Sequence, residues 1–364
     1  MVVFCYNYHM SQKTYADLES IDKQNIFNVI DSQPNQLRQN YADTLREDIT
    51  KTDGINIKNI VFIGMGGSAL AGSIAHNWLS PRLLVPFTLI RGESLPEYVD
   101  HNSLVIISSY SGNTHETILA FVRALRLNAR VIVLTCGGEL FDLAKKAGVT
   151  VLQLPKISQP RLSVFAGLKA LACILQDTEL ISGGDLRREL IDAADHLDTK
   201  KLLWGSDKEG DNLAKTIAQS MHDKSVIIYS SPLLSSAGYK WKIDINETAK
   251  QMAFNDTFSE LNHNEMQGWK FPTQKQYASV VLNSEFETSE MEKRIKLTKT
   301  TLSSYGYSPT TVVAQGQNHI QQLLYTTLLG DFVSAYLAIL NKVDPTPVEI
   351  IEKFKKNLEL KILE

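Results

Sequence analysis

Cysteine is scarce in this 364-residue chain: Cys5, Cys136 and Cys173 are an odd number and form no CxxC pair. That argues against a disulfide-stapled secreted scaffold and a thiolate zinc centre, and it favours a reducing compartment. Long apolar runs are also missing. The longest candidate, residues 325–340, is interrupted by Asp331 and falls short of the ~20 residues a bilayer requires, so a buried core helix is expected there. The first ten residues, MVVFCYNYHM, lack the basic start and long apolar core of a signal peptide. These absences predict a cytoplasmic protein with no membrane partner. An excess of one charge is absent as well: 37 Lys and Arg stand against 40 Asp and Glu, a net charge of -3. Such a balance offers nucleic acid and anionic lipid no general attraction. The eight histidines are dispersed, with no HxH or HExxH arrangement, so no metal site is expected.

What remains is a composition suited to a large core, 43% hydrophobic and 21% charged. At about 150 residues per domain, the length suggests two or three compact units. Residues 15–50 are polar and helix-favouring, with a weak apolar stripe, and read as surface helices. Short Val- and Ile-rich runs then alternate with helical periods. Strands are expected at 59–63, 87–90, 104–107, 130–135 and 149–154, and helices at 69–79, 114–127 and 139–147. Apolar runs with little alternation suit strands covered on both faces, and the β-α order argues for a doubly wound parallel sheet. Residues 161–222 read as mostly helical. A second series follows, with strands at 225–229, 278–282 and 311–314 and helices at 237–249, 289–305 and 319–341. A final helix is expected at 348–358, with Pro347 at its first position. The chain therefore divides into a helical extension (1–50), a first α/β subdomain (51–160), connecting helices (161–210), a second α/β subdomain (211–342) and a C-terminal helix (343–364).

Two stretches carry the strongest chemical signal. VFIGMGGSA, residues 61–69, is a buried strand, a turn with Gly64, Gly66 and Gly67, then Ser68 and a helix. Glycines let the backbone approach a ligand, and the helix start offers free N–H groups to an anion. A tight turn without a ligand is the plain alternative. No Lys-Ser/Thr pair follows, so this is not a P-loop. No acidic residue closes the next strand either, which weakens a dinucleotide fingerprint. SSYSGNT, residues 108–114, ends another strand of the same predicted sheet. Its hydroxyls and the amides of the helix behind it form an uncharged cradle for a phosphate monoester. The alternative is that Asn113 or Thr114 only caps the helix, with Ser111 filling the turn. Two such loops at the C-terminal ends of strands in one sheet favour a ligand, since open α/β sheets bind in that crevice.

Three other positions carry acid–base potential. Glu247 lies in the predicted 237–249 helix, where a carboxylate tuned upward could move a proton alpha to a carbonyl; the alternative is a solvated helix glutamate. His263 sits in ELNHNE, residues 260–265, in a predicted loop, and would titrate near neutrality. Arg161 follows Pro160 at an expected helix start, where positive charge is unfavourable, hinting at a purpose such as steadying an enediolate; a surface arginine is the plain reading.

The loops GMGGSA (64–69) and SYSGNT (109–114) resemble the sugar-phosphate isomerase (SIS) domain. QPR (159–161), NETAK (246–250), ELNHNE (260–265) and the DPTPV turn (344–348) resemble one branch of it, the bifunctional phosphoglucose/phosphomannose isomerases. The resemblance spans about residues 59–358. It departs in the Ser-Val-Phe stretch at 163–165 and in the unmatched first 50 residues. It implies two similar, flavodoxin-like, doubly wound subdomains acting on sugar 6-phosphates without cofactor or metal. By the same resemblance Gly66, Gly67, Ser68, Ser109, Ser111 and Thr114 bind phosphate. Glu247 shuttles the proton between C1 and C2, Arg161 stabilises the cis-enediol(ate), and His263 opens the ring from the neighbouring subunit of a homodimer. A C-terminal lysine, aligned to Lys355 with Lys353 and Lys356 close by, and the hydroxyl of Thr346 complete the expected set. The competing reading is a phosphosugar sensor without catalysis, which would need neither Glu247 nor His263. A dehydrogenase lacks its acidic residue, and a glutamine-dependent aminotransferase would need a nucleophilic cysteine domain that the segment around Cys5 is too short to form.

Overall fold

Two parallel sheets organise the chain, and helices cover their faces. The computed structural model describes residues 18–40, 56–206, 208, 210–271 and 276–361. Cys5 and the outer parts of the 1–50 segment lie outside the described residues. Short helices α1 (Leu18–Ile21) and α2 (Ile26–Ser32) come first. The first half then runs β1 (Asn59–Gly64), α3 (Gly67–Leu79), β2 (Phe87–Ile90), β3 (Ser103–Ser108), α4 (His115–Arg126), β4 (Arg130–Thr135), α5 (Gly138–Lys146) and β5 (Thr150–Gln153). A 3₁₀ turn, Pro160–Leu162, leads into α6 (Val164–Asp177), α7 (Leu186–Lys201) and α8 (Leu213–Met221). The second half is β6 (Ser225–Ser230), α9 (Ser235–Glu247), β7 (Ala253–Thr257), β8 (Tyr277–Asn283), α10 (Ser289–Ser304), β9 (Thr310–Val313) and α11 (His319–Leu340), followed by α12 (Glu349–Lys361).

The sheet orders are β2-β1-β3-β4-β5 and β7-β6-β8-β9, every pair parallel. Each sheet therefore reverses direction beside its first strand, the arrangement expected of a doubly wound fold. Every residue of β3 is buried, as a strand covered on both faces should be. Expected strands and helices fall where the periodicity placed them, with ends shifted by a residue or two. The exception is β7, AFNDT, which no apolar run announced. It is an edge strand pairing only with β6, and its side chains are partly open to solvent, so burial selects few of them.

The expected core helix is found, and one other expectation changes. Helix α11 has 22 residues, long enough to cross a membrane, yet Ile320 through Ile339 are all buried inside the protein. It packs against α2, α7, α8 and α9 and forms the spine of the second half. Its Gly330 admits the Trp241 indole, which a Cβ would meet at 2.3 Å, and Trp241 Nε1 donates to the Thr326 carbonyl at 2.7 Å. The segment before residue 40 is more than a surface layer. Ile26, Phe27, Ile30 and Leu37 are buried, and Gln36 bonds both the Leu162 carbonyl (2.8 Å) and the Ala166 N–H (3.0 Å). Buried glutamines made its apolar stripe look weak. The last helix begins at Glu349, two residues past Pro347.

A buried ionic group ties these parts together. Lys240 Nζ on α9 donates to Asp244 Oδ2 at 2.7 Å and to Asp331 Oδ1 on α11, while Gln33 Nε2 donates to Asp331 Oδ2 at 2.9 Å. Burial alone would push the ammonium down, but the two carboxylates hold it above its ordinary value. Removing one member of such a group strands the others in low dielectric. Lys240→Met is therefore expected to cost about 3–5 kcal/mol, read as a lower midpoint of urea unfolding. An unchanged midpoint would show that these charges do not form a closed group.

Candidate active site

The C-terminal ends of β1 and β3, neighbours at the point where the first sheet reverses, carry the two hydroxyl and glycine loops. In the first, Gly66 caps α3 with φ 49 and ψ −124, and a Cβ added there would meet nothing within 4 Å. The requirement for glycine is conformational. Gly67 differs: its Cβ would lie 2.8 Å from the Arg161 nitrogen and the Pro160 carbonyl carbon. The first loop thus rests directly on the segment that carries Arg161. Ser68 Oγ accepts the Tyr110 N–H at 3.0 Å and binds the two loops to each other.

In the second loop, the Ser109 N–H donates to the Leu134 carbonyl at 2.9 Å, while Ser109 Oγ is buried with no hydrogen-bond partner among the described residues. Ser111 Oγ accepts the Asn113 N–H at 3.3 Å, as expected for a turn serine. The capping expected of this stretch is distributed differently. Thr114 occupies the N-cap of α4 but makes no side-chain cap bond, whereas Asn113 Oδ1 accepts the Glu139 N–H at 2.9 Å and caps α5. Tyr110 reaches the next connection, where its hydroxyl bonds the Ile157 backbone. Partial burial pushes that phenol up to about 12.

Arg161 is not a surface residue. Its side chain is 1% exposed, at the 3₁₀ turn between the two halves. Nε donates to Thr248 Oγ1 at 2.9 Å, and Nη2 donates to the carbonyls of Pro345 (2.9 Å) and Thr346 (3.1 Å). Nη1 donates to Gln159 Oε1 at 3.2 Å and faces Glu247 Oε2 at 3.5 Å. Burial presses its pKa down, and Glu247, Asp244 and Asp331 oppose that shift. Glu247, the last residue of α9, has a side chain 26% exposed, so it is neither solvated freely nor sealed. Thr346 is buried, and its Oγ1 has no partner among the described residues. The structure therefore brings Arg161, Glu247 and Thr346 together, and Gly67 joins them to the phosphate-type loops.

No side-chain hydrogen bond or ion pair joins His263 or Lys355 to this cluster among the described residues. His263 is exposed, between the 3₁₀ turns Glu260–Asn262 and Glu265–Lys270. Its platform is braced: Asn262 Nδ2 donates to Thr298 Oγ1 at 2.8 Å, and Glu265 Oε2 accepts from the Tyr229 hydroxyl at 2.8 Å. Lys353, Lys355 and Lys356 are all exposed on α12. Sequence reasoning passed over Thr248 and Tyr110. Thr248 lies inside the NETAK stretch, but only the fold shows that it grips Arg161.

The second half repeats the strand, turn and helix of the first, but its helix start is taken. Asn77 of α3 accepts from the Ser236 N–H (3.2 Å), Ser236 Oγ (2.9 Å) and Ser235 Oγ (3.3 Å), and donates to the Pro232 carbonyl (3.0 Å). Among the described residues, no three His, Cys, Asp or Glu side chains gather as metal ligands.

Two parallel sheets of one order and a glycine–hydroxyl crevice at the switch point define the class, a double SIS-domain protein. Residues 55–160 match the SIS domain family, and residues 210–358 match the bacterial phospho-glucose isomerase C-terminal SIS domain. Solved structures share the fold. A tagatose-6-phosphate ketose/aldose isomerase from Escherichia coli superposes with a TM-score of 0.68 at 15% identity, covering 90% of this chain and 98% of that one. A hypothetical protein from Thermus thermophilus gives 0.72 at 16% identity, over 97% and 94%. In sequence, the chain is 34% identical to the bifunctional phosphoglucose/phosphomannose isomerase of Aquifex aeolicus, over 86% of its own length and 94% of the relative's. It is 33% identical to the Thermoplasma volcanium protein of the same name, over 82% and 91%. The chain belongs to the bifunctional phosphoglucose/phosphomannose isomerase family.

The contact at Gly67 gives a direct test of the geometry. Gly67→Ala would force the Pro160–Arg161 peptide away from the loop. It is expected to lower kcat/KM on a sugar phosphate by about tenfold to a hundredfold, the scale of a misplaced catalytic group, with the circular dichroism spectrum unchanged. Undiminished kcat/KM would show that this close approach does not position Arg161.

Proposed function

We propose that this chain interconverts glucose 6-phosphate and fructose 6-phosphate, and also acts on mannose 6-phosphate, as an aldose–ketose isomerase working through a cis-enediol. The observation that carries the reading is the Glu247 carboxylate, 3.5 Å from a buried guanidinium whose own segment rests on the glycine loop. The family, whose named members are phosphoglucose/phosphomannose isomerases, supports the same reading.

In this mechanism Gly66, Gly67 and Ser68 of the first loop and the hydroxyls of Ser109, Ser111 and Thr114 in the second hold the phosphate at the helix starts. His263, supplied by a second copy in a homodimer, transfers the proton that opens the sugar ring. From the open-chain aldose, Glu247 removes the C2 proton. The C–H electron pair forms the C1–C2 double bond, and negative charge moves to the former carbonyl oxygen. Arg161, fixed by Thr248 and two carbonyls, stabilises that charge without reorganising. The proton of the C2 hydroxyl passes to the C1 oxygen, and Glu247 returns its own proton to C1 as the C2 oxygen becomes the carbonyl, which yields the ketose. A turn about the C2–C3 bond before return to C2 presents the other face and gives the mannose epimer. Thr346 Oγ1 is assigned to a substrate hydroxyl and Lys355 to the same site.

The reading requires no metal or cofactor, and it places the enzyme in the cytoplasm, consistent with the free thiols of Cys136 and Cys173. It divides the chain at 1–50, 51–160, 161–210, 211–342 and 343–364, a division that the two separate sheets support.

The test supplies EDTA-treated protein with fructose 6-phosphate, glucose 6-phosphate and mannose 6-phosphate separately. All three are expected to turn over, and Glu247→Gln is expected to lose about 10²–10⁴-fold in kcat, the contribution of a positioned general base. Turnover confined to the glucose pair would remove the mannose activity. Binding of fructose 6-phosphate without turnover would identify a sensor instead.

A further inference from the structure

Lys250 closes the C-terminal turn of α9, three residues after Glu247, with φ 53. That left-handed conformation at the end of a helix is the usual place for glycine, because a Cβ strains it. The chain reverses there, and the Gln251 N–H donates to the Ile245 carbonyl at 3.2 Å. A lysine at this position keeps a backbone strain that glycine would relieve, and it brings a side chain that glycine lacks.

The side chain folds back onto the helix end. Nζ donates to the carbonyl of Glu247 itself at 2.8 Å and to that of Thr248 at 3.3 Å. These are the backbones of the proposed base and of the residue that grips Arg161. We propose that Lys250 is a positioning residue for isomerisation: its ammonium fixes the last turn of α9, and with it the Glu247 carboxylate and the Thr248 hydroxyl, in register with Arg161. The inference rests on the isomerase reading above.

Surrounding charges agree with this role. Partial burial and then Arg161 press the ammonium down to about 8, while Asp344, Glu247 and Glu349 favour its charged form. A lysine whose folded pKa lies below its unfolded value binds fewer protons when folded, so its charge costs stability through the neutral range and the cost fades as pH rises past 8. The residue is thus retained against both backbone strain and desolvation. One side of it remains open to solvent.

Lys250→Gly suits the turn and removes the ammonium; Lys250→Arg keeps a cation on the same strained backbone. With fructose 6-phosphate, Lys250→Gly is expected to lose about tenfold to a hundredfold in kcat, with KM within about twofold and a melting temperature equal to or above that of the wild type. Lys250→Arg is expected to recover most of kcat, and the alkaline fall of the wild-type kcat profile near pH 8 should move upward in it. Wild-type kcat in Lys250→Gly, or kcat in Lys250→Arg as low as in Lys250→Gly, would overturn the inference and leave Lys250 as a helix cap. A wild-type protein without turnover would overturn the isomerase reading itself, a result distinct from an active wild type matched by Lys250→Gly.

Discussion

A buried guanidinium is the constraint around which this molecule is arranged. Arg161 cannot be discharged at neutral pH, and taking its charge out of water costs several kcal/mol unless its donors are satisfied. Satisfying them draws in segments remote in sequence: Gln159 from its own turn, Glu247 and Thr248 from the end of α9, and the Pro345 and Thr346 carbonyls from the turn before α12. The bonds are uneven. Those to Thr248 and the Pro345 carbonyl are short at 2.9 Å, while the approach to Glu247 is the longest at 3.5 Å. The cation is therefore gripped on the side away from the carboxylate and held loosely beside it. A carboxylate held at this longer distance is not locked to the guanidinium and keeps freedom to exchange partners.

The same helix extends the constraint into the core. Lys240, Asp244 and Glu247 lie at i, i+4 and i+7 on α9 and share one face. The first two are buried against Asp331 of α11, and the third emerges at the crevice. Through Gln33, the segment before residue 40 is tied to Asp331, and through Gln36 to the carbonyl that follows Arg161. A helix pinned at several turns has little freedom to slide, and its terminal carboxylate inherits that fixity.

How much of this was legible depended on what each position buries. Strands β1, β3, β4, β6 and β8 were readable because their cores are apolar on both faces. β7 was not, since an edge strand reading AFNDT hides in polar composition. The glycine and hydroxyl loops were legible as motifs, and their capping was not: Asn113 serves the helix after the next strand, a choice fixed by how β3 and β4 place their turns. Arg161 stood out as a charge at an awkward helix start, but its burial required a turn 184 residues away to supply carbonyls. The weak apolar stripe of residues 26–37 had the same cause, because buried glutamines look polar until their partners are known. Sequence patterns report local burial well; they do not report which distant backbone will satisfy a buried polar group.

The internal symmetry sharpens the division of labour. The order β7-β6-β8-β9 repeats β2-β1-β3-β4, and each half places a helix start after its first strand. In the first half that start, at Gly66 and Gly67, faces the crevice. In the second, Asn77 of α3 takes the corresponding donors of α9. One helix start cannot serve both an internal side chain and an external anion, and in the second half that start is held by the first. What it gains is orientation. Helix α3 runs from the glycine loop to Asn77, and α9 runs from Asn77 back to Glu247, so the two helices form a closed strut between the proposed phosphate cradle and the proposed base. The distance between these two functions is then set by two packed helices rather than by a flexible loop, as proton transfer at a fixed offset from a phosphate requires.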